Sequence, residues 1–286
     1  MPRIPRIFIK NPNAAYHLIS RTALNGFVLG PPEKDHLLSL IRWLSSVFFV
    51  EVYGFCIMDN HFHLLCRMLP ENLFPDHEVQ RRIKLYYGDR RPFRKGDLLY
   101  WRSRLSDLSR YVQEIKQRFS LWFNKRHGRK GYFWADRFKS VVIETGEALL
   151  NCLAYIDLNP VRAGLVQRPE HYRWCSLAYH LGTGNQGGFL STDLGVAAFT
   201  HKGYTERVAL YQAFVYEKAG LERGTGAKKR LSGVEVFRQR IRHFSEGLII
   251  GTQEFVRRGL EQVRELLGLK RKRPPRELKP LPGLYA

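Results

Sequence analysis

Two histidines separated by one residue follow a turn signal in the first quarter of the chain. His61 and His63 come directly after the Asp-Asn pair at 59–60, which itself follows an apolar run at 52–58. This order predicts a strand, a tight turn and a second strand. Alternate side chains of a strand share a face, so the two histidines point to one side and Phe62 to the other. Two imidazoles about 7 Å apart on one face are able to bind one divalent cation. The plainer interpretation is a pair of surface histidines on a hairpin.

A second pair of chemically capable residues lies near the middle of the chain. Tyr155 and Asn159 fall within a predicted helix from Thr145, its N-cap, to Asn159, just before a proline. Residues four apart share a helix face, here opposite the packing stripe of Leu149, Leu153 and Ile156. If that face meets the histidine strand, the two imidazoles and an Asn159 oxygen would hold Mg²⁺ or Mn²⁺, and the Tyr155 oxygen would attack a phosphate in line. Otherwise Tyr155 is an ordinary surface tyrosine near a helix end.

The elements around these residues predict an α+β fold. Strands are predicted at 16–22, 51–58, 61–68 and 133–143, and helices at 33–48, 104–126 and 145–159. The order strand, helix, strand, strand, helix, strand is ferredoxin-like, with an antiparallel sheet and helices packed on one face. The histidines would then lie on a central strand, on the open face of the sheet.

The net charge of +21 is concentrated in two segments. Residues 79–130 hold 16 Lys and Arg against 4 Asp and Glu, and residues 226–286 hold 15 against 6, while the rest of the chain is balanced. Such bands indicate contact with a polyanion, and nucleic acid is favoured over a membrane surface because neither band predicts a strongly amphipathic helix.

Several basic and aromatic residues are candidates for nucleic-acid contact. Residues 76–103 are predicted as a basic loop in which Phe93, Tyr100 and Trp101 either stack on unpaired bases or anchor the loop. The candidate phosphate-binding residues are Arg94, Lys95, Arg110, Arg137, Arg162, Lys229 and Arg230.

The pattern divides the chain into three parts. Residues 1–180 form the predicted catalytic domain, 181–230 a linker with a helical segment at 204–218, and 231–286 a basic helical DNA-binding extension and tail. Helices at 233–244 and 252–267, the second capped by Thr252, allow a helix-turn-helix, although a compact helical cap fits nearly as well.

The expected cellular compartment is inferred from the cysteine spacing and from the search for membrane-spanning and signal segments. The four cysteines at 56, 66, 152 and 175 show no paired spacing, which is typical of reduced thiols. A zinc site combining two of them with the histidines is rejected, since Cys66 alternates to the opposite face. No run of 18 apolar residues and no signal peptide is present, so a cytoplasmic protein without membrane contact is expected.

These motifs together resemble a known family. Tyr16-His17, the segment Met58 to His63, Trp134 to Phe138 and the segment Tyr155 to Val166 are similar to the REP-associated tyrosine transposases, which are single-tyrosine HUH nucleases. The similarity covers residues 14–180. It implies an HUH-type fold, His61 and His63 as ligands of Mg²⁺ or Mn²⁺, Tyr155 as nucleophile and Asn159 as third ligand, where insertion-sequence relatives carry Gln. It also implies cleavage of single-stranded DNA beside palindromic hairpins in bacterial chromosomes, by monomers or dimers.

Some assignments remain open. Tyr111 is the rival nucleophile, but it has no metal-binding partner four residues later, and His17 is expected to be structural rather than a ligand. The favoured function is a metal-dependent single-stranded DNA endonuclease and strand transferase that forms a 5′-phosphotyrosine. The alternatives are a catalytically silent hairpin-binding protein, a metal-dependent nuclease that uses water, and an RNA-processing nuclease.

Overall fold

The computed structural model of the chain describes residues 8–9, 11–88, 95–220, 243–268, 274–278 and 281–286. The strands are β1 (Ala14–Arg21), β2 (Val50–Ile57), β3 (His61–Met68), β4 (Lys139–Glu144) and β5 (Ile249–Ile250). The helices are α1 (Pro31–Val47), α2 (Asp76–Tyr87), α3 (Leu98–Leu105), α4 (Leu108–Arg126), α5 (Glu147–Asp157), α6 (Asn159–Arg162), α7 (Ser176–Thr183), α8 (Tyr204–Ala219) and α9 (Gln253–Leu267).

The sheet has the predicted ferredoxin-like topology with one added strand. Its order is β2-β3-β1-β4-β5, antiparallel except for the parallel pair β4–β5. Helices α1 and α4 pack together on one face, where Leu37 and Ile115 join Phe62 and Leu64 in one core. The predicted α+β class and the antiparallel sheet are therefore confirmed.

The other face of the sheet, predicted to be open, is covered by α5. A second core on this side combines Leu149 and Leu153 of α5 with Ala15, Leu65 and Val141 of the strands. Over most of their length the strands carry apolar residues on both faces, which is the pattern of a sheet buried on both sides. Helix α5 is itself buried from Ala148 to Asp157, so Tyr155 does not lie on an outer surface.

Gly54 of β2 allows α5 to approach the sheet closely. A Cβ at this position would collide with Leu153 Cδ1 and lie 2.6 Å from Ser176 Oγ. The register between β2 and β3 also shifts between Val52 and Gly54, as at a β-bulge. A glycine here therefore sets the distance between the sheet and the helix that carries Tyr155.

The C-terminal end of α5 is fixed by Asp157, which is completely buried. Its carboxylate accepts hydrogen bonds from Ser176 Oγ at 2.8 Å, Leu177 N at 3.1 Å and Tyr211 Oη at 2.6 Å. Burial raises the pKa of Asp157 to about 6, against the opposing effect of these donors. The carboxyl thus links α5 to α7 and α8.

The pKa of Asp157 predicts a specific pH dependence of stability. Because the folded state binds this proton more tightly than the unfolded state, the contribution of Asp157 is largest below pH 4 and falls as the pH rises through about 6. The Asp157→Asn variant keeps an acceptor and cannot ionise. Urea unfolding of both proteins between pH 4.5 and 7.5 should show the variant gaining about 2 kcal/mol relative to wild type over this range. A stability difference independent of pH would contradict the assignment.

The predicted basic loop at 76–103 contains two helices in its described part. Helix α2 buries Val79 and Ile83, and α3 buries Trp101 and Leu105. The loop prediction was wrong because this segment has few apolar residues among many charged ones. Its charged residues find partners in the fold: Arg82, for example, pairs with Glu78 and donates to the Phe48 carbonyl at 2.5 Å.

The C-terminal part joins the same sheet and core. The residues predicted as the turn of a helix-turn-helix contain β5, in which Ile249 and Ile250 pair with Val142 and Ile143. Helix α9 is confirmed, with the Thr252 side chain accepting from Phe255 N at 3.3 Å. Most of the predicted helix at 233–244 lies outside the described residues. The three-part division of the chain stays a prediction.

Candidate active site

The floor of the candidate site is a patch of the sheet face beneath α5. In the β1–β3 register, Arg21 lies opposite His61 and Ile19 opposite His63. On the other side of β1, Ile19 lies opposite Lys139 of β4. The predicted shared face of the two histidines is observed, because Phe62 between them is buried in the core of the opposite face.

Tyr155 projects from α5 over this patch. Its ring stands edge-on to the His63 ring with the centroids 5.9 Å apart, and it stacks on Phe244 at 5.4 Å. Burial raises the pKa of the Tyr155 phenol, whereas the nearby Arg162 guanidinium, 4.4 Å from the ring centroid, opposes that rise. The phenol is therefore protonated at neutral pH and sits next to a fixed positive charge.

Asn159 is placed differently from its prediction. Helix α5 ends at Asp157, and Asn159 is the first residue of α6, with Pro160 in the first turn, where proline is favourable. The Asn159 side-chain nitrogen donates to the Ile156 carbonyl at 3.1 Å, and its oxygen accepts from Arg162 at 2.8 Å. The carboxamide lines the site, but its hydrogen bonds are made to the end of α5 and to Arg162 of α6.

Each of the two histidines uses its Nδ1 atom for a hydrogen bond within the protein. The Nδ1 atom of His61 lies 2.7 Å from Asn60 Oδ1, and that of His63 lies 2.9 Å from Nε2 of His17. Burial lowers the pKa of His61 to about 4, with a smaller effect from Arg21, and lowers the pKa of His63 well below its usual value. Both imidazoles are thus neutral near pH 7 with Nε2 available, which is the form that binds a metal ion.

A cleft of about 400 Å³ brings these groups together. Its lining residues are Ile19, Arg21, His61, His63, Ala135, Asp136, Arg137, Lys139, Tyr155, Asn159, Ser245 and Glu246. A neighbouring polar groove of about 490 Å³ runs along α4 and shares Asp136 and Arg137 with the cleft. The cleft and the groove together are suited to an extended polar polymer.

The predicted phosphate-binding residues occupy different positions relative to the cleft. Arg137 lines both the cleft and the groove and is exposed. The Arg162 guanidinium lies over the Tyr155 ring and donates to the Tyr155 carbonyl at 2.7 Å. Arg110 is exposed at the start of α4 and donates to Gln113, a residue of the polar groove, at 3.2 Å. Lys95 belongs to a short 3₁₀ turn. Arg94, Lys229 and Arg230 lie outside the described residues, as does Phe93.

Burial decides between the alternatives for the aromatic residues of the basic loop and for the rival nucleophile. Trp101 is buried and anchors α3, whereas Tyr100 is exposed. The rival nucleophile Tyr111 is completely buried in the core of the opposite face and hydrogen-bonds Ser45 Oγ at 2.8 Å. Tyr111 therefore has no access to the cleft.

Several residues of the cleft were not among the predicted site residues. Arg21 and Lys139 are exposed cations at its floor, and Ser245 and Glu246 reach it from the C-terminal segment. The alternation along β1 places Arg21 on one face, but its position opposite His61 depends on the strand register. No local pattern connects residues 245–246 with a site some ninety residues earlier in the chain.

A search of protein-family models and a search of curated proteins both found no match. Among solved structures, one of a REP-associated tyrosine transposase bound to a REP hairpin aligns with a TM-score of 0.44 and 18% identity. The alignment covers 68% of this chain and 93% of that one. At this identity the chemistry of the site has to be inferred from the chain's own residues.

Two further properties bear on possible partners. Among the described residues, no group of three or more His, Cys, Asp and Glu side chains is arranged to hold a metal ion. A cation in the cleft would therefore rely on the two imidazoles, on amide or water oxygens and on the substrate. Within the same part of the chain, no helix is long and apolar enough to cross a membrane.

Proposed function

We propose that this protein is a metal-dependent single-stranded DNA endonuclease and strand transferase that acts through a 5′-phosphotyrosine on Tyr155. The observation that carries the proposal is the meeting of a tyrosine and two neutral histidines, each with Nε2 available, in one cleft lined by cations. The likeness of the sequence motifs to REP-associated tyrosine transposases supports repeated palindromic hairpins as the substrate class.

The donor set fits a divalent cation. His61 and His63 would hold it through Nε2, with Asn159 as a third ligand only after its carboxamide rotates away from Arg162. Bound there, Mg²⁺ or Mn²⁺ would polarise the scissile phosphate and offset its charge. The hydrogen bonds on both Nδ1 atoms fix the orientation of the imidazoles.

Tyr155 would carry out the chemical step. Its oxygen forms a bond to the phosphorus as the bond from phosphorus to the 3′ oxygen breaks; the phenol loses its proton, and the departing 3′ oxygen gains one. Arg162 stabilises the developing phenolate because its guanidinium lies over the ring. A free 3′ hydroxyl and a phosphotyrosine remain, and reversal of the step on another 3′ end gives strand transfer.

Exposed cations would hold the DNA backbone. Arg21, Arg137 and Lys139 surround the cleft, and the groove along α4 continues from Arg137. Its polar residues Gln113 and Gln117 are exposed and would contact the strand that leaves the site. Uncharged polar side chains of this kind suit bases and sugars, whereas the arginines suit phosphates.

Removing one of these cations should weaken DNA binding without sequence preference. We expect Arg21→Ala and Lys139→Ala each to lower the affinity for a single-stranded oligonucleotide and to reduce the slope of log affinity against log salt by about 0.7. Fluorescence anisotropy between 50 and 300 mM salt measures both effects. Lys202→Ala is the control, since Lys202 pairs with Glu206 outside the cleft and the groove. An unchanged slope in both cleft variants would contradict this role.

The reaction itself is tested with hairpin oligonucleotides labelled at the 5′ or the 3′ end. With Mn²⁺ present, only fragments that carry the label 3′ of the cut should migrate with the protein on a denaturing gel. Cleavage without any protein-linked fragment would favour activation of water, and binding without cleavage under any metal would favour a binding protein. Cleavage of RNA but not of DNA would show that the substrate is RNA rather than single-stranded DNA.

A further inference from the structure

His17 of β1 is a buried histidine that the proposed chemistry does not use. It is completely buried and does not line the cleft. The plane of its ring is nearly parallel to that of His63, with an angle of 18° and a centroid distance of 5.1 Å. An imidazole removed from water needs hydrogen-bond partners for its ring nitrogens, and both nitrogens of His17 have one.

The direction of each hydrogen bond follows from the partners. Nδ1 of His17 lies 2.8 Å from the Phe244 carbonyl oxygen, which only accepts, so His17 must donate from Nδ1. In a neutral imidazole the other nitrogen, Nε2, is then an acceptor. This Nε2 lies 2.9 Å from Nδ1 of His63, which must therefore carry a proton and donate it.

The chain of hydrogen bonds thus leads from a main-chain carbonyl to one nitrogen of His63. With the proton on Nδ1, the Nε2 atom of His63 keeps its lone pair. His17 cannot itself bind a cation, because one of its nitrogens donates and the other accepts. With no partner at this point, His63 would be free to take the other tautomer, in which Nε2 carries the proton and cannot act as a ligand.

We propose that His17 is a positioning residue that fixes the tautomer and the ring orientation of His63, and that the Phe244 carbonyl anchors His17 in turn. The proposal rests on the proposed function in one respect, namely that His63 binds the divalent cation. Second partners of this kind orient metal-binding histidines in general. Here the partner is another histidine rather than a carboxylate, so the support adds no negative charge to the site.

Phe244 connects this support to the nucleophile. Its carbonyl accepts the hydrogen bond of His17, while its ring stacks on Tyr155 at an angle of 28°. The next two residues, Ser245 and Glu246, line the cleft. One short segment of the C-terminal region therefore contacts both the histidine support and the tyrosine.

The tautomer can be measured directly in the metal-free wild-type protein. Long-range proton–nitrogen correlation spectra of protein labelled with ¹⁵N-histidine distinguish a proton on Nδ1 from one on Nε2. We expect His63 and His17 to carry the proton on Nδ1. A proton on Nε2 of His63 would overturn the proposal, and this measurement needs no variant that folds.

Two variants of His17 distinguish the loss of its hydrogen bond to His63 from a change in side-chain packing. His17→Gln places an amide oxygen near the former Nε2 and still accepts from His63, whereas His17→Phe keeps a ring and removes the acceptor. Isothermal titration with Mn²⁺ should show a dissociation constant within about 3-fold of wild type for the first and raised by about 10- to 100-fold for the second. His180→Phe is the control, since His180 is also buried but hydrogen-bonds Tyr204 on another part of the fold.

The outcomes distinguish this proposal from the function on which it rests. If wild type binds Mn²⁺ and His17→Phe binds it equally well, the role of His17 is wrong while the proposed function stands. If wild type binds no Mn²⁺ although the spectra show the Nδ1 tautomer of His63, the metal role fails and the support by His17 stands.

Discussion

The Tyr155→Phe variant should form no covalent complex with DNA and should lose cleavage by a factor on the order of 10⁴ or more, as expected when a nucleophile is removed. The substitution deletes only the hydroxyl group. The ring keeps its stacking on Phe244 and its position under the Arg162 guanidinium. The variant should therefore fold, with a change in the free energy of unfolding of about 1 kcal/mol. Denaturing gels measure the complex, and anisotropy should show unchanged hairpin affinity.

The matched control for this variant is Tyr111→Phe. Tyr111 is also buried, and its substitution removes a hydroxyl that hydrogen-bonds Ser45 Oγ, but it belongs to the core on the far face of the sheet. This control should form the covalent complex at the wild-type level. Full cleavage by Tyr155→Phe would show that water, rather than Tyr155, attacks the phosphate.

The His61→Ala variant should have the second-largest effect. It removes one of two imidazoles that offer Nε2 to a cation, so the Mn²⁺ dissociation constant should rise by roughly 100-fold or more, beyond the effect of losing a supporting residue. Cleavage at a fixed, low Mn²⁺ concentration should fall accordingly and recover in part at high Mn²⁺. His61 is neutral near pH 7 because burial lowers its pKa to about 4, so hairpin binding in the presence of a chelator should not change.

His36→Ala provides the comparison for His61. His36 belongs to α1, where its ring stacks on Trp122 at 3.9 Å on the opposite side of the sheet. We expect wild-type Mn²⁺ affinity in this variant. Equal metal affinity in His61→Ala and His36→Ala would contradict the assignment of His61 as a ligand.

Local patterns were sufficient for the hairpin and its histidines. The turn at 59–60, the apolar run before it and the alternation after it require only neighbouring residues, and β2 and β3 follow them closely. Asp59 adds a tertiary contact, since its carboxylate pairs with the nearly buried Lys34 at 2.5 Å. The amphipathic stripe of α4 was predictable for the same reason, with Val112, Ile115 and Phe119 all buried.

The predictions failed where structure depends on distant parts of the chain. The strand predicted at 133–143 is interrupted. Trp134 forms only an isolated bridge with Thr22 and donates from its side chain to the Lys116 carbonyl at 3.0 Å, and β4 begins at Lys139. This leaves Asp136 and Arg137 on an irregular segment at the rim of the cleft. The contact is made between residues 18 positions apart, and no periodicity within the segment reports it.

Dependence on distant residues also explains why the contact between His17 and Phe244 was not predicted. His17 was expected to be a structural residue of its strand, but its hydrogen bond to the Phe244 carbonyl spans 227 positions of sequence and could not be predicted locally. The C-terminal region was predicted as a separate extension because its charge and glycines suggest independence. In the structure its described residues Ile249, Ile250 and Leu284 belong to the main sheet and core. Burial of apolar side chains, rather than charge, determined where this region packs.

The central claim is that Tyr155 forms the bond to DNA, and peptide mapping of the covalent complex tests it most directly. Trypsin should release residues 140–162, a peptide with a single tyrosine, whereas Tyr111 falls in the separate peptide 111–116. After cleavage of a hairpin with Mn²⁺ and digestion of the complex, mass spectrometry should find the nucleotide fragment on peptide 140–162, attached at Tyr155. A fragment attached to any other residue, or cleaved DNA with no modified peptide, would contradict it.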